Sequence, residues 1–273
     1  MHVSAYKIRK FRSEIWKYYR KNKRDFPWRR TTNPYRILVS EIMLQQTQTE
    51  RVMPKYRAFL KRFSNFQALA QASLADVLAV WQGLGYNRRA LALKNISKIV
   101  VTKYNRRLPR DPKLLVAFPG IGGATAGAVV AFAFNKPVSF IETNIRRVFI
   151  HFFFSRSKAV HDEQLLEVVL RTMDRVRPRE WYWALMDYGA MLSKLSKNPN
   201  RKSANYRKQS AFRGSMRQLR GKILKSLLEE AAPLEAVRIA DRIRESKGRV
   251  EKALAHLEKE GFLEHVRGRF SVR

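Results

Sequence analysis

The chain has 273 residues, 45% of them hydrophobic, enough to build one large domain or two modest ones around a true core. Its 56 Lys and Arg against 22 Asp and Glu give a formal net charge of +34, which points to a polyanion partner. The absence of cysteine excludes disulfides, thiolate zinc sites and cysteine-ligated iron–sulfur clusters, and five scattered histidines supply no metal set. Nucleic acid is preferred to a membrane surface as the polyanion, because no basic amphipathic helix stands apart from the globular pattern. No run approaches a transmembrane span, and the basic N-terminus lacks the apolar core of a signal peptide, so an intracellular protein is expected.

Aromatic residues at helical spacing predict a helix over 8–22, followed by a Pro–Trp–Arg turn at 27–29. "NPYRILVSEIMLQQTQTERVMPKYRAFLKRF" reads as two helices broken near Pro54. Ser73 suits the N-cap of a helix that ends at Gly83-Leu84-Gly85, and "NRRALALKNISKIVVTKY" follows as another. "DPKLLVAFPGIGGATAGAVVAFAF" is two short helices about a glycine-rich hinge. "IETNIRRVFIHFFF", "DEQLLEVVLRTMDRV" and the aromatic-rich "PREWYWALMDYGAMLSKL" complete a helical region with no strand run or tandem repeat before residue 200. Residues 194–213 are polar and basic without an apolar period, as in a linker or a poorly ordered loop. Beyond them come helices in "MRQLRGKILKSLLEEA" and "PLEAVRIADRIRES". A further helix then closes in a hairpin that turns at Arg267-Gly268, a winged-helix pattern over 214–273.

Two features carry chemistry. In the hinge, Gly120 and Gly122 permit backbone conformations closed to other residues, and a helix opening at Gly123 or Ala124 would point the N–H groups of Gly123, Ala124 and Thr125 outward at phosphate. The alternative is a plain helical connection with packing glycines. The second feature is a pair of acids. Glu41 interrupts the apolar run "ILVSEIML" and shares a helix face with Ile37, Leu38, Leu44, Gln45 and Gln48. Glu142 follows apolar "VSFI" just before a helix that Thr143 or Asn144 could cap. Taken singly, Glu41 could be an edge residue paired to Arg36 or Lys55, and Glu142 a capping carboxylate.

"FPWR", "NPYRILVSEIMLQQTQ", "WQGLGYNRRALAL", "FPGIGGATAGAVVAFA" and "IETNIRRV" occur here in the order found in the helix–hairpin–helix base-excision glycosylases. Over residues 10–195 the chain resembles the adenine-DNA glycosylase (MutY) branch of that family, to which "SEIMLQQTQ" is specific. The resemblance implies an all-α, two-subdomain glycosylase core over 1–195, with a helical bundle at 30–135 and a second subdomain from 1–29 plus 136–195. A basic linker or loop at 196–213 and the winged-helix-like domain at 214–273 would follow. By position, Glu41 matches the acid that protonates the adenine ring and later handles water. Glu142 matches a carboxylate that stabilises the sugar cation, and Asn144 an asparagine that positions those groups. Arg29 would line the base pocket, Gln46 and Tyr86 would wedge into the duplex beside Gln45, and the backbone at Gly120, Gly122, Gly123, Ala124 and Thr125 would hold phosphate.

Opposite roles for two acids require environments that separate their pKa values, with Glu41 raised among apolar neighbours and Glu142 ionised near a helix N-terminus. Four departures from the family pattern qualify the reading. Glu142 stands in place of an aspartate and Thr143 in place of a glycine, Ala124 in place of the lyase lysine, the cluster cysteines are missing, and so is the usual C-terminal domain that reads 8-oxoguanine. The expectation is a cofactor-free, monofunctional, monomeric glycosylase, cytoplasmic and nucleoid-associated, acting on duplex DNA with a mispaired or damaged base, adenine first. A thymine or uracil glycosylase and an inactive mismatch sensor are the rivals. Arg238, Arg242, Arg244, Arg267 and Arg269 are DNA-facing candidates in the C-terminal domain, against a simple solvated basic face. Trp181, Trp183 and Phe152 to Phe154 are expected in the core, and His151 as structural.

Overall fold

A computed structural model describes residues 3–194, 198–207, 211–230 and 232–273. In chain order the elements are α1 (Ala5–Asn22), a 3₁₀ turn (Pro27–Arg29), α2 (Pro34–Leu44), α3 (Thr49–Arg62), α4 (Phe66–Gln71), α5 (Leu74–Trp81) and α6 (Arg88–Lys103). There follow α7 (Pro112–Val116), α8 (Gly123–Phe134), α9 (Thr143–Phe153), α10 (Asp162–Thr172), α11 (Pro178–Leu192) and a 3₁₀ turn at Pro199–Lys202. The C-terminal part is α12 (Met216–Leu228), β1 (Leu234–Glu235), α13 (Ala236–Ile243), α14 (Lys247–Lys259), β2 (Leu263–Val266) and β3 (Arg269–Val272). The fold is mostly helical, as the sequence predicts. No helix among the described residues is long and apolar enough to cross a membrane.

The break between α2 and α3 does not fall at Pro54. It falls about two turns earlier, where Gln46 takes a left-handed backbone (φ 54°), and Pro54 sits inside α3. A proline in the second turn of a helix forfeits one backbone hydrogen bond, whereas a left-handed residue redirects the chain.

The chain divides into two compact units, residues 1–41 with 109–208 and residues 42–108 with 209–273. The first is built on α1, α7 to α11 and most of α2. Its core is aromatic. Phe11 meets Phe149, Phe153 and Trp181 at centroid distances of 5.4, 5.0 and 5.8 Å, the edge-to-face spacing that adds to plain burial. Trp181, Phe153 and Phe154 are buried while Phe152 and Trp183 are partly so, and His151 is exposed. Of the expected linker, residues 198–203 are packed rather than loose, whereas 204–207 and 211–213 are exposed. Asn200 is buried and donates to the Thr143 carbonyl at 3.0 Å, and a parallel bridge joins Val160 to Ser203. Side-chain amides that find backbone partners can order a polar stretch that lacks an apolar period. Residues 195–197 and 208–210 of that stretch lie outside the described residues.

The second unit gathers α3 to α6 with everything from α12 on. The sheet order is β1-β3-β2, and the predicted hairpin turns at Arg267 (φ 50°) and Gly268 (φ 78°), the two positive φ values of a tight hairpin. Two-residue β1 carries no sequence signal. The C-terminal elements lean on the bundle, with the Ala75 N–H donating to the Arg273 carbonyl at 3.0 Å. Glu260 accepts from Arg88 Nε at 2.7 Å and from Arg220 Nη1 at 2.8 Å, which hold its carboxyl well below the usual range. Two of the arginine candidates are taken up within this unit: Arg242 pairs with Glu229 and Glu230, and Arg269 with Glu235.

Candidate active site

Both acids belong to the first unit. Glu41 projects from α2, a helix whose neighbouring positions Leu38, Ile42 and Met43 are buried. Its carboxylate keeps a path to solvent but is crowded by protein, and this desolvation raises its pKa from 4.5 to about 8. The negative charge of Glu142 adds to the rise, and the Arg29 guanidinium opposes it. Neither Arg36 nor Lys55 pairs with Glu41 among the described residues.

Glu142 is itself the N-cap of α9, a role expected of Thr143 or Asn144. Its Oε1 accepts from the backbone N–H groups of Asn144 and Ile145, both at 2.8 Å, and its Oε2 from the Asn144 side chain at 3.3 Å. Burial raises its pKa too, a correction to the expectation of a simply ionised group. Those two N–H groups and the charges of Arg147 and Arg146 pull the other way. When two nearby carboxyls compete for one proton, the one with donors aimed at it stays the anion. At Glu142 those donors are the N–H groups of Asn144 and Ile145.

Asn144 is steered in turn. Its side-chain oxygen accepts from Arg147 Nη1 at 2.8 Å, and the same nitrogen donates to the Gly189 carbonyl on α11 at 2.7 Å. Arg147 Nε reaches Asn198 Oδ1 at 3.3 Å, so the packed segment after α11 ends the relay that begins at Glu142. Gly189 is needed for this closeness, since a Cβ there would meet the Asn144 carbonyl oxygen at 2.4 Å and its Cβ at 2.7 Å. Gly189→Ala is therefore expected to force α9 from α11 and destabilise the protein by about 2 kcal/mol, seen as a lower urea midpoint. An unchanged midpoint would mean that the helices separate freely.

Arg29 is held flat by Asp187. Its Nη1 and Nη2 each lie 2.8 Å from a carboxylate oxygen, and Arg24 Nε adds a third contact at 2.6 Å. Asp187 is 2% exposed and the Arg29 side chain 8%, so the pair forms a wall with Phe26 and Trp183 stacked on the guanidinium.

In the hairpin, Gly120 has φ 74° and needs to be glycine, whereas Gly122 (φ −92°, ψ 174°) is an ordinary extended N-cap. The expectation that both require glycine freedom holds only for the first. A Cβ at Gly122 or Gly123 would meet nothing within 4 Å, so no contact within the protein holds either position to glycine. Gly122 and Gly123 are exposed and Ala124 and Thr125 half-buried, at the opening of an α8 that starts at Gly123.

Gln45, Gln46 and Tyr86 belong to the second unit and are governed by Arg89. This buried guanidinium donates to the carbonyls of Met43 at 2.8 Å, Gln45 at 2.5 Å and Gly85 at 3.0 Å. It thereby ties the turn at left-handed Gln46 to the turn at left-handed Tyr86 (φ 48°). Gln46 is exposed and Tyr86 half-buried. Sequence reading missed Arg89, Arg147, Asp187 and Gly189. Asp187 carried the same signal as Glu41, a lone acid in an apolar helix.

Among solved structures, that of a thermostable thymine-DNA glycosylase superposes with a TM-score of 0.63 at 27% identity, over 72% of this chain and 92% of that one. The fold is that of the helix–hairpin–helix DNA glycosylases. The family model for the HhH-GPD superfamily of base excision DNA repair proteins matches residues 39–171. An adenine DNA glycosylase of Buchnera aphidicola (subsp. Baizongia pistaciae) is 35% identical over 67% of this chain and 52% of its own length. That of Mycolicibacterium smegmatis is 32% identical over 95% of this chain and 94% of its own. The chain belongs to the HhH-GPD superfamily of base excision DNA repair proteins, with adenine DNA glycosylases as its relatives.

Proposed function

We propose that the protein is a monofunctional DNA glycosylase that flips a mispaired base from duplex DNA and removes it by hydrolysis, with adenine opposite 8-oxoguanine or guanine as substrate. The observation that carries the reading is the unequal pair of acids, Glu41 with a pKa of about 8 beside a Glu142 held by two backbone N–H groups. Protonated Glu41 is the general acid that makes the base a better leaving group. Ionised Glu142 faces the positive charge that grows on the sugar, and Asn144, fixed by Arg147, keeps it there. Glu41, its proton spent, then takes one from the attacking water. Glu142, one methylene longer than the family's aspartate, folds back as the N-cap of α9.

Gln46 and Tyr86 form the wedge that fills the vacated stack, and the α8 N-terminus holds phosphate without reading sequence. Ala124 offers no amine, so no Schiff base forms and the abasic strand stays intact. The enzyme is read as a cofactor-free monomer whose residues 214–273 form a winged-helix-like domain, and whose partner is duplex DNA inside the cell. A second reading, removal of thymine or uracil opposite guanine, draws on the likeness to the thymine-DNA glycosylase structure.

The test is base release from duplexes with A, T, U or hypoxanthine opposite G, 8-oxoguanine or the normal partner, developed with hot alkali. Adenine release opposite 8-oxoguanine or guanine is the expected outcome. Release of thymine or uracil alone would install the second reading. Binding without release from any duplex would leave a sensor, and strand cleavage without alkali would overturn the monofunctional assignment.

A further inference from the structure

Phe212 is a large aromatic side chain left 59% exposed on a turn that is nevertheless firmly built. Its carbonyl accepts from both the N–H (3.1 Å) and the hydroxyl (2.6 Å) of Ser215, the N-cap of α12. Gly214, left-handed at φ 75°, donates to Gln218 at 2.7 Å and accepts from Arg249 of α14 at 3.0 Å. An apolar ring held out in water by an ordered turn is costly unless something covers it.

The next turn shows what kind of cover fits. Arg217, in the first turn of α12, donates to the Tyr86 hydroxyl at 2.6 Å. Its guanidinium lies 5.5 Å from the Tyr86 ring and 5.9 Å from the Phe212 ring. Arg89 lies 5.3 Å from the same tyrosine. Aromatic rings interleaved with guanidinium planes stack nucleobases, tolerate any base, and gain from the cation when the base is electron-rich. All of these residues belong to one unit.

We propose that Phe212, Arg217 and Tyr86 form a stacking shelf for an unpaired base of duplex DNA, the base left without a partner once its opposite number has been flipped out. This rests on the glycosylase reading, in which Tyr86 enters the stack. It gives the C-terminal segment a part in holding the opposite strand through aromatic stacking. Arg217 is the link, since it donates to the Tyr86 hydroxyl and its guanidinium lies within about 6 Å of both rings.

The probe is a duplex with 2-aminopurine opposite a tetrahydrofuran abasic analogue, whose fluorescence falls when the base stacks on protein. The full-length protein should quench it, and Phe212→Ala should lose most of the quench and bind this duplex about tenfold more weakly. Phe212→Trp should restore both. Arg217→Ala should weaken the quench while circular dichroism stays unchanged. Equal loss of affinity for a fully paired duplex would reduce Phe212 to a general DNA contact and overturn the shelf, as would unchanged quenching in Phe212→Ala or none with the full-length protein. Failure here alongside normal base release would sink the shelf alone. Absence of base release would sink the glycosylase reading, and the quench at the unpaired base can still be measured.

Discussion

Glu41→Gln is expected to lower base release about a thousandfold while making the folded protein more stable at neutral and alkaline pH. Glutamine keeps the shape and hydrogen-bonding length of the acid but has no proton to give, so the loss is that of a general acid. The gain in stability has a separate origin. Glu41 has a pKa of about 8 in the folded protein and an ordinary value near 4.5 when exposed. Between those values the folded state holds a proton that the unfolded state has released. Folding is then opposed by rising pH, and stability falls across the window from 4.5 to about 8. Glutamine escapes this loss. The full difference would be about 5 kcal/mol at 1.4 kcal/mol per pH unit, and the solvent path to the carboxylate reduces it to about 2 kcal/mol. Urea midpoints of the two proteins should coincide below pH 5 and diverge up to pH 8. Parallel midpoints would show that Glu41 is ionised in the fold, and the acid would have to be sought elsewhere.

The same wild-type titration predicts that base release declines as pH rises through about 8, where Glu41 loses its proton. The sequence made this group legible because a carboxylate at a helical position flanked by Ile37, Leu38, Ile42 and Met43 has little choice but desolvation. Glu142 was legible as a residue but not in its state. Its capping bonds were within reach of sequence reading, whereas the burial that opposes them comes from packing across the unit. The Gln46 break was hidden because a left-handed glutamine has no signature, and Pro54 is the louder signal nearby. The C-terminal hairpin was readable because Arg-Gly suits its turn. What escaped altogether was the supporting layer. Arg89 and Arg147 look like surface charges in a basic chain, and Asp187, though a lone acid in an apolar helix, gives no hint of its arginine partners; only the fold shows that each is spent on fixing a neighbour.

Asp187→Asn should cost about 4 kcal/mol of stability and shift the alkaline limit of base release to lower pH. The carboxylate is 2% exposed and takes contacts from Arg24 and both Nη atoms of Arg29. An asparagine presents one acceptor and turns an amide donor toward these donors. Arg24, 35% exposed, can swing to water, but Arg29 at 8% cannot and is left as a buried, unpaired cation. Arg29 already lowers the Glu41 pKa against the effect of burial. Freed from its compensating anion, it acts on Glu41 more strongly, so the acid loses its proton earlier as pH rises. Arg29→Gln removes the cation and predicts the opposite, a limit moved above that of the wild type. Opposite displacements in the two variants, measured as single-turnover rates across pH 6–9.5, are the signature of charge acting at Glu41. Displacement in the same direction would mean that both changes merely loosen the pocket wall, and Asp187 would then be a structural residue with no hand in setting the acid.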